Sequence, residues 1–370
     1  MNKNHYDVVI CGAGIAGLTL ARQLRQKIPN ISIAILDRLT RPLPKATFKV
    51  GEATTELGAY YLTEVLKLEE YLETHHLRKL GLRLFFSDSQ GNFQNRPEAG
   101  VSKFLPPYAY SIDRGIFEND LRQLNIETGI ELLENCFVKD IELSENTESV
   151  HKVIYTQGKN KDTKTIESRW VIDAMGRRRF LQQKLGLTKP NNPKYNAVWF
   201  RIGDRLDVSD FVPQTEKQWH GRVPNNNRYW STNHLCGDGY WIWIIALPSQ
   251  CTSVGIVADG EIHPFHSYHT YEKAYQWLEK HEPVLAQFLQ EKQPADFMKM
   301  PKYSYSSKQV FSINRWACVG EAGVFPDPLY GTGADQIGFA NTLTTQIIEL
   351  DLADRLTKQT VDQANLFYLT

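Results

Sequence analysis

Apolar residues recur along the chain with two periods, and the changes between them mark out its elements. Residues 6–37 read as strand, helix, strand: an apolar run at 8–11, then Ile15, Leu18, Leu20, Ala21 and Leu24 at helical spacing, then a second apolar run at 31–36. A basic, proline-containing loop from residue 38 leads into Phe48-Lys49-Val50-Gly51-Glu52-Ala53-Thr54. Leu57, Tyr60, Tyr61, Leu62, Val65, Leu66 and Leu68 predict one helix over about 56–76, and 79–86 alternates like a strand. A helix is expected over 114–126. Strands follow it and end in Trp170-Val171-Ile172-Asp173-Ala174-Met175-Gly176. Between about 195 and 260 the chain turns rich in Trp, Tyr and β-branched residues, with strand-like runs at 197–202, 239–247 and 252–258. Helical patterns come next at 268–280 and 283–291, and another opens at about Ala334. The last residues, 364–370, are apolar for a chain end. They suit either a helix docked on the body or one whose partner is missing. No internal repeat or low-complexity tract interrupts this order.

The first strand runs into Gly12-Ala13-Gly14-Ile15-Ala16-Gly17, a Gly-x-Gly-x-x-Gly turn that opens a helix. Such glycines give a tight turn, close backbone approach to a pyrophosphate and close helix-on-strand packing, and the helix amides then face the phosphates. Asp37 ends the next strand twenty residues after Gly17, where an acid can hold a ribose hydroxyl. Alone the glycine motif is weak; with strand, helix and spaced acid it predicts a dinucleotide site. Far along the chain, Trp316-Ala317-Cys318-Val319-Gly320-Glu321-Ala322-Gly323 resembles the returning half of such a site.

At 370 residues the chain has room for more than one domain, and 42% hydrophobic residues is ordinary for a globular protein. The 42 basic and 42 acidic side chains balance, so no overall field favours nucleic acid or an anionic membrane. The basic run Arg177-Arg178-Arg179 reads as a solvated loop after a strand. Five widely spaced cysteines suggest reduced thiols in a cytoplasmic protein, and no spacing suggests a metal site. No stretch approaches the roughly 18 apolar residues of a membrane span.

Taken in order, Gly12-x-Gly14-x-x-Gly17, Asp37, Val50-Gly51-Glu52-Ala53-Thr54, Asp113-Arg114, Asp173-x-x-Gly176 and Gly320-Glu321 resemble the FAD-dependent monooxygenases of the p-hydroxybenzoate hydroxylase type, over nearly the whole chain. Within that group the chain looks most like the flavin-dependent halogenases. The fold implied is α/β: a Rossmann-type FAD-binding domain with an inserted, mainly antiparallel substrate sheet. On that pattern 1–80, 113–190 and 305–370 are the FAD-binding parts, and 81–112 and 191–304 the substrate domain. The cofactor-binding residues carried over are Gly12, Ala13, Gly14, Ile15, Ala16, Gly17, Asp37, Arg38, Arg114, Gly320, Glu321, Pro328, Gly331, Thr332 and Gly333. Glu52 is carried over as a catalytic candidate expected to shape the loop beside the isoalloxazine, and Arg114 is expected to lie along the FAD.

Three features point to the halogenase branch. Trp241-Ile242-Trp243-Ile244-Ile245-Ala246 resembles the family's Trp-x-Trp-x-Ile-Pro, a bulky pair that keeps substrate from the flavin, with Ala246 in place of the proline. Such alternation is also what a buried strand requires. Lys79 stands where the family places an essential lysine that holds or activates hypohalous acid. The segment Phe325-Pro326-Asp327-Pro328-Leu329-Tyr330-Gly331-Thr332-Gly333 resembles the family's halide-binding turn, with backbone amides at Thr332 and Gly333 for chloride or bromide. Gly331 replaces the usual serine, and Tyr330 stands where tryptophan halogenases often carry an acid, which argues against free tryptophan as substrate. The resemblance therefore implies that reduced FAD, oxygen and halide make hypohalous acid, and that Lys79 directs it to an electron-rich phenol- or pyrrole-like ring, free or tethered to a carrier. The electrons would come from a partner flavin reductase or NAD(P)H. Ala246 and Gly331 favour the alternative of a hydroxylase that transfers oxygen directly from a C4a-hydroperoxyflavin. A flavin oxidoreductase acting on a lipid-like chain is a third reading, and an FAD-bound partner-binding module a fourth.

Overall fold

The computed structural model of the protein describes residues 4–45, 49–86, 92–145, 149–158, 162–191, 193–327, 329 and 331–370. The chain begins with β1 (His5–Cys11), α1 (Ile15–Lys27) and β2 (Ile33–Leu36), as the periodicity predicts. The helix expected over 56–76 is broken into α2 (Glu56–Tyr60), a π-helical turn at Tyr61–Val65 and α3 (Glu69–His75). Leu66 and Leu68 are both buried, yet two residues apart on an α-helix lie about 200° round the axis and cannot face one core. The wide turn, whose Leu66 N bonds to Tyr61 O (3.0 Å), and a left-handed Lys67 (φ 55°) turn both inward.

The single strand expected at 79–86 is also two, β3 (Leu77–Lys79) and β4 (Leu82–Phe85), parted by Gly81 at φ 60°. Next come β5 (Glu98–Gly100), β6 (Ala109–Ser111), α4 (Arg114–Glu127), β7 (Glu131–Leu133), β8 (Cys136–Glu142), β9 (His151–Gln157) and β10 (Asp162–Asp173). α5 (Phe180–Lys184), β11 (Thr188–Pro190), β12 (Tyr195–Ile202) and α6 (Lys217–Arg222) lead to the hairpins of β13 (Thr232–Gly237), β14 (Tyr240–Ala246) and β15 (Thr252–Asp259). The chain closes with α7 (Tyr271–His281), α8 (Pro283–Leu289), β16 (Pro294–Met300), β17 (Tyr305–Ser307), β18 (Phe311–Ser312), β19 (Trp316–Cys318), α9 (Gly333–Leu352) and α10 (Lys358–Leu369).

Two large sheets organise these elements. In the first, β19, β10, β1, β2 and β7 run parallel in that order, with β18 antiparallel on one edge and β9 and β8 added through β10. Their apolar runs are buried on both faces by α1, α4 and α9, as parallel sheets require. The second sheet has the order β16-β12-β15-β14-β13-β4-β5, antiparallel except where β4 meets β13. Alternation along β14 sends Tyr240, Ile242 and Ile244 into a cluster under α7 and α8, and Trp241, Trp243 and Ile245 into a second cluster on the opposite face. Lys79 belongs to neither large sheet: among the described residues β3 pairs only with β6, with Lys79 opposite Ala109.

The last helix docks on the body through one face. α10 buries Val361, Ala364 and Tyr368 against the body, while Leu366 and Phe367 face outward. Asn365 seals the edge of β18 as a strand would: its Oδ1 accepts from Val310 N (2.8 Å) and Phe311 N (3.0 Å), and its Nδ2 donates to Phe311 O (2.8 Å). Asn365→Ala is expected to lower stability by about 2 kcal/mol, because two buried amides lose their acceptor. A fall in the thermal midpoint of the variant would show it, and an unchanged midpoint would mean that the helix docks through its apolar residues alone.

Candidate active site

The carboxyl ends of three adjacent parallel strands form a crevice, the place where such sheets hold ligands. Gly12 follows β1 at φ 114°, and a Cβ there would stand 2.3 Å from Ala174 O at the end of β10. A Cβ on Gly17 would stand 2.1 Å from Gly12 O, so the helix approaches the strand only as glycine. Gly14 differs: its backbone is extended, and a Cβ would meet nothing within 4 Å. The turn therefore keeps open space above Gly14 that its own packing does not need. No side chain caps α1 and its first turn carries no acid, so its amides are free to face an anion. At the end of β19, Gly320 (φ 58°) comes so near α1 that a Cβ would lie 2.8 Å from Ala16 Cβ. The two motif halves, three hundred residues apart, thus meet at one helix N-terminus. Open space, free amides and an absent Cβ suit the pyrophosphate of FAD.

The strand-like segment Glu52–Thr54 runs beside β6, with Ile112 N bonded to Glu52 O (2.7 Å) and Thr54 N to Tyr110 O (2.9 Å). Arg201 on β12 donates from Nε to Glu52 Oε1 (2.7 Å) and from Nη2 to Lys49 O (2.6 Å), and pairs with Asp296 on β16. Arg114 donates to Val50 O and to Glu118 Oε1 (2.6 Å), and Lys49 pairs with the same Glu118. Burial pushes the Glu52 carboxyl above its ordinary value, while the Arg201 charge opposes that shift. On the far side, Gly331 (φ 71°) leaves room for only 3.1 Å between its would-be Cβ and Ala53 O. Thr55 caps α2 and donates to Asp335 Oδ1 (2.5 Å) in the first turn of α9.

Lys79 is buried, and its Nζ donates to Thr54 O at 2.6 Å. A hydrogen bond to a charged group stabilises by about 1.5–3 kcal/mol. Burying an ammonium costs several kcal/mol. Burial wins: the Lys79 amine is lowered to about 8, against smaller opposite pulls from Glu56 and Asp335. Above this region lies the cluster of Trp199, Trp241, Trp243, Ile245, Tyr303 and Phe325, packed with Val50, Ala53 and Leu329. Trp243 lies across Gly255, where a Cβ would meet its ring at 2.1 Å, and donates from Nε1 to Ser253 Oγ (3.1 Å).

Residues 5–244 match the FAD binding domain family. The chain belongs to this FAD-binding family. Among curated relatives, the flavin-dependent halogenase chlA of Dictyostelium discoideum is 27% identical over 95% of this flavoprotein and 61% of its own length. The 1H-pyrrole-2-carbonyl-[peptidyl-carrier protein] chlorinase of Pseudomonas fluorescens is 26% identical over 94% of this chain and 77% of its own. The flavoprotein thus spans about three-fifths of the first of these. Among solved structures, halogenase PltM superposes with a TM-score of 0.82 over 98% of this chain and 73% of its own, at 19% identity. That likeness bears on fold, and the p-hydroxybenzoate hydroxylase-like architecture expected from the motifs is the one observed. The resemblance to flavin-dependent halogenases is borne out by these relatives.

Several residues of the flavoprotein stand differently from the expectation. The Asp37 carboxylate is occupied by the glycine turn itself, accepting from Ala13 N (2.6 Å) and Leu39 N (2.7 Å) and pairing with Arg122 at 3.3 Å. Arg38 beside it is exposed. Arg114 does not extend freely along the crevice; it ties the 49–51 backbone to α4. Glu52 is likewise held in a buried ion pair rather than presented as a free acid. Glu321 is half-buried and its carboxyl raised by burial, with Arg114, Arg177 and Lys49 pulling it back down. The run Arg177-Arg178-Arg179 is not merely solvated: Arg178 lies over Phe137 and Phe180, and Arg179 over Tyr305 at 4.2 Å. Pro328 and Tyr330 lie outside the described residues. Thr332 and Gly333 do open α9, and the space beyond Gly333 is free within 4 Å, but Asp335 two residues on already places a carboxylate in that first turn. Sequence reading missed Arg201, Asp296, His234 and Asp335. Arg201 carried a signal in hindsight, a lone charge inside the apolar run 197–202. Among the described residues no helix is long and apolar enough to cross a membrane.

Two outcomes follow from this geometry. Gly14→Leu adds a side chain where the protein itself is open, so the apoprotein should keep its thermal midpoint while FAD affinity, read by flavin fluorescence, falls by at least an order of magnitude. Lys79→Met should stabilise the protein at pH 7. Folding depresses the lysine from its ordinary 10.5 to about 8, so between those values the unfolded chain binds more protons and native stability rises with pH. The advantage of Lys79→Met over the native chain should therefore shrink between pH 8 and 10.5 in denaturant titrations. A pH-independent difference would contradict the burial of an ammonium.

Proposed function

We propose that this chain is an FAD-dependent halogenase that uses Lys79 to halogenate an electron-rich aromatic ring. The observation that carries the reading is the join between two parts of the site: Thr54 O holds the Lys79 amine, while the neighbouring Ala53 O carries Gly331 at the approach to α9. One loop thus separates a buried lysine from the helix N-terminus that suits an anion or the electron-rich edge of a flavin. FAD, when bound, would supply the reductive activation of oxygen that turns halide into hypohalous acid. The turn at Gly12–Gly17 would hold its pyrophosphate through backbone amides. The amides at Thr332 and Gly333 attract halide. Trp241 and Trp243, both buried, exclude water there and keep an aromatic substrate off the crevice. Lys79 receives hypohalous acid, either by donating a hydrogen bond to its oxygen as ammonium or by reacting with its halogen as amine. An amine titrating at about 8 can do both near neutral pH.

The relatives support this substrate class: one acts on a pyrrole carried by a peptidyl-carrier protein, as its name states. A phenol- or pyrrole-like ring, free or carrier-tethered, with electrons from a separate flavin reductase, is the corresponding proposal here. Asp335 favours a second reading, because a carboxylate in the first turn of α9 competes with halide for the same dipole. A hydroxylase would need no halide.

One assay separates the two readings. Anaerobic NADPH should bleach the FAD-loaded protein only when a flavin reductase is added. In air with chloride or bromide, Lys79→Ala should lose halogenation of phenols and pyrroles by three orders of magnitude or more while flavin reduction stays unchanged. Halogenation by Lys79→Ala at the native rate would remove Lys79 from the mechanism. Rapid bleaching by NADPH alone, with halide-independent oxygen incorporation, would establish the hydroxylase.

A further inference from the structure

One row of side chains crosses the inner face of the second sheet: Leu84, His234, Trp243, Gly255, Trp199 and Met298, each opposite the next in register. His234 is its one titratable member. It is 3% exposed, and its Nδ1 has no hydrogen-bond partner among the described residues. Its ring stands edge-on to Trp241, with centroids 5.3 Å apart. Thr232, two residues back on the same face, also buries a hydroxyl without a partner. An unsatisfied buried polar group costs about 1–3 kcal/mol, and nothing in this apolar wall offsets that. An unpartnered ring nitrogen beside Trp241 is placed for something that arrives there. Lys79 lies at the same end. Leu80 N bonds to Trp230 O (2.8 Å) and Thr232 N to Gly81 O (3.1 Å), so the residues after Lys79 are strapped to the start of β13, and its charge acts on His234.

We propose that His234 is the base of this site: its Nδ1 takes the proton that an electron-rich aromatic ring loses on halogenation, and returns it to Lys79. The inference rests on the halogenase reading above. A π pair of the ring forms the carbon–halogen bond, and the halogen–oxygen bond of hypohalous acid breaks with its pair on oxygen. The Lys79 ammonium protonates that oxygen, and water leaves. The ring carbon, now bearing hydrogen and halogen, gives its proton to His234, and the C–H pair restores aromaticity. The imidazolium then passes a proton to the neutral Lys79 amine. Ring C–H and hypohalous acid become C–halogen and water; the ring is oxidised by two electrons, the halogen is reduced by them, and both side chains end as they began.

The pairing explains why neither residue is wasted in the wrong state. Burial first, and then the Lys79 charge, hold His234 neutral, at about 3. Once Lys79 has given up its proton the repulsion is gone, and His234 becomes a better base at the moment one is needed. Glu56 on α2 and Asp335 on α9 face Lys79 and support its charged form. Cys236, beside His234 on its own strand, has its thiol raised by burial and stays neutral.

The test uses the FAD-loaded protein with NADPH, an added flavin reductase, bromide, and either phenol or ring-deuterated phenol. The native protein should brominate both at one rate. His234→Gln should be about 100-fold slower and show a primary isotope effect, because loss of the ring proton has become limiting. His234→Gln at the native rate without an isotope effect overturns the proposal and leaves the halogenase reading standing. If the native protein brominates neither phenol nor a pyrrole, the halogenase reading fails first. The second measurement is independent of turnover and of any His234 variant: imidazole nitrogen NMR of the native protein and of Lys79→Met. The His234 titration should move upward when the Lys79 charge is removed; an unmoved titration overturns the coupling.

Discussion

The backbone from Lys49 to Thr55, buried over Glu52–Thr54, is tied to elements on every side, and almost everything that makes the site depends on how it is held. A polar chain in such a place needs partners for its amides and carbonyls. Arg201 supplies one set from the second sheet, Arg114 a second from α4, β6 a third through backbone pairing, and Lys79 a fourth at Thr54 O. Gly331 and Asp335 then rest on the same segment from the α9 side. One stretch of chain therefore fixes the helix N-terminus, the lysine and the aromatic wall relative to one another.

Charge burial separates structure from chemistry here. Arg201 is matched by Glu52 and Asp296, Arg114 and Lys49 by Glu118, and Arg83 and Arg228 by Glu98. In each, breaking one partner would cost several kcal/mol while the intact group adds little over an apolar replacement. They fix register between loop and sheet. Lys79 is bound instead to a neutral carbonyl, and with no carboxylate bonded to it to hold its charge, burial lowers its proton affinity. His234 has the same character: neutral, buried and, among the described residues, unpaired at Nδ1 beside Trp241.

Much of both sheets was legible because their elements are local patterns. β1, α1 and β2 follow from apolar periodicity, and β12, β14 and β15 from runs of β-branched and aromatic residues. The errors fell where tertiary packing overrode local period. Leu66 and Leu68 had to be buried together, so the helix broke. Gly81 had to turn the chain from one sheet to another, so the strand broke and Lys79 was left on β3.

The sequence by itself determined the nucleotide turn, the returning Gly320-Glu321 half and the tryptophan pair, because each is a short pattern whose residues are neighbours in the chain; the lysine was picked out by its place in the family pattern. Only the tertiary structure decided what those residues touch. Asp37 and Arg114, read as ligands of the cofactor, are occupied by the turn and the loop. Glu52 meets Arg201, 149 residues away, and His234 comes under the field of Lys79 from another sheet. Proton affinity depends on burial and on charges brought near by folding, and no spacing along the chain encodes either.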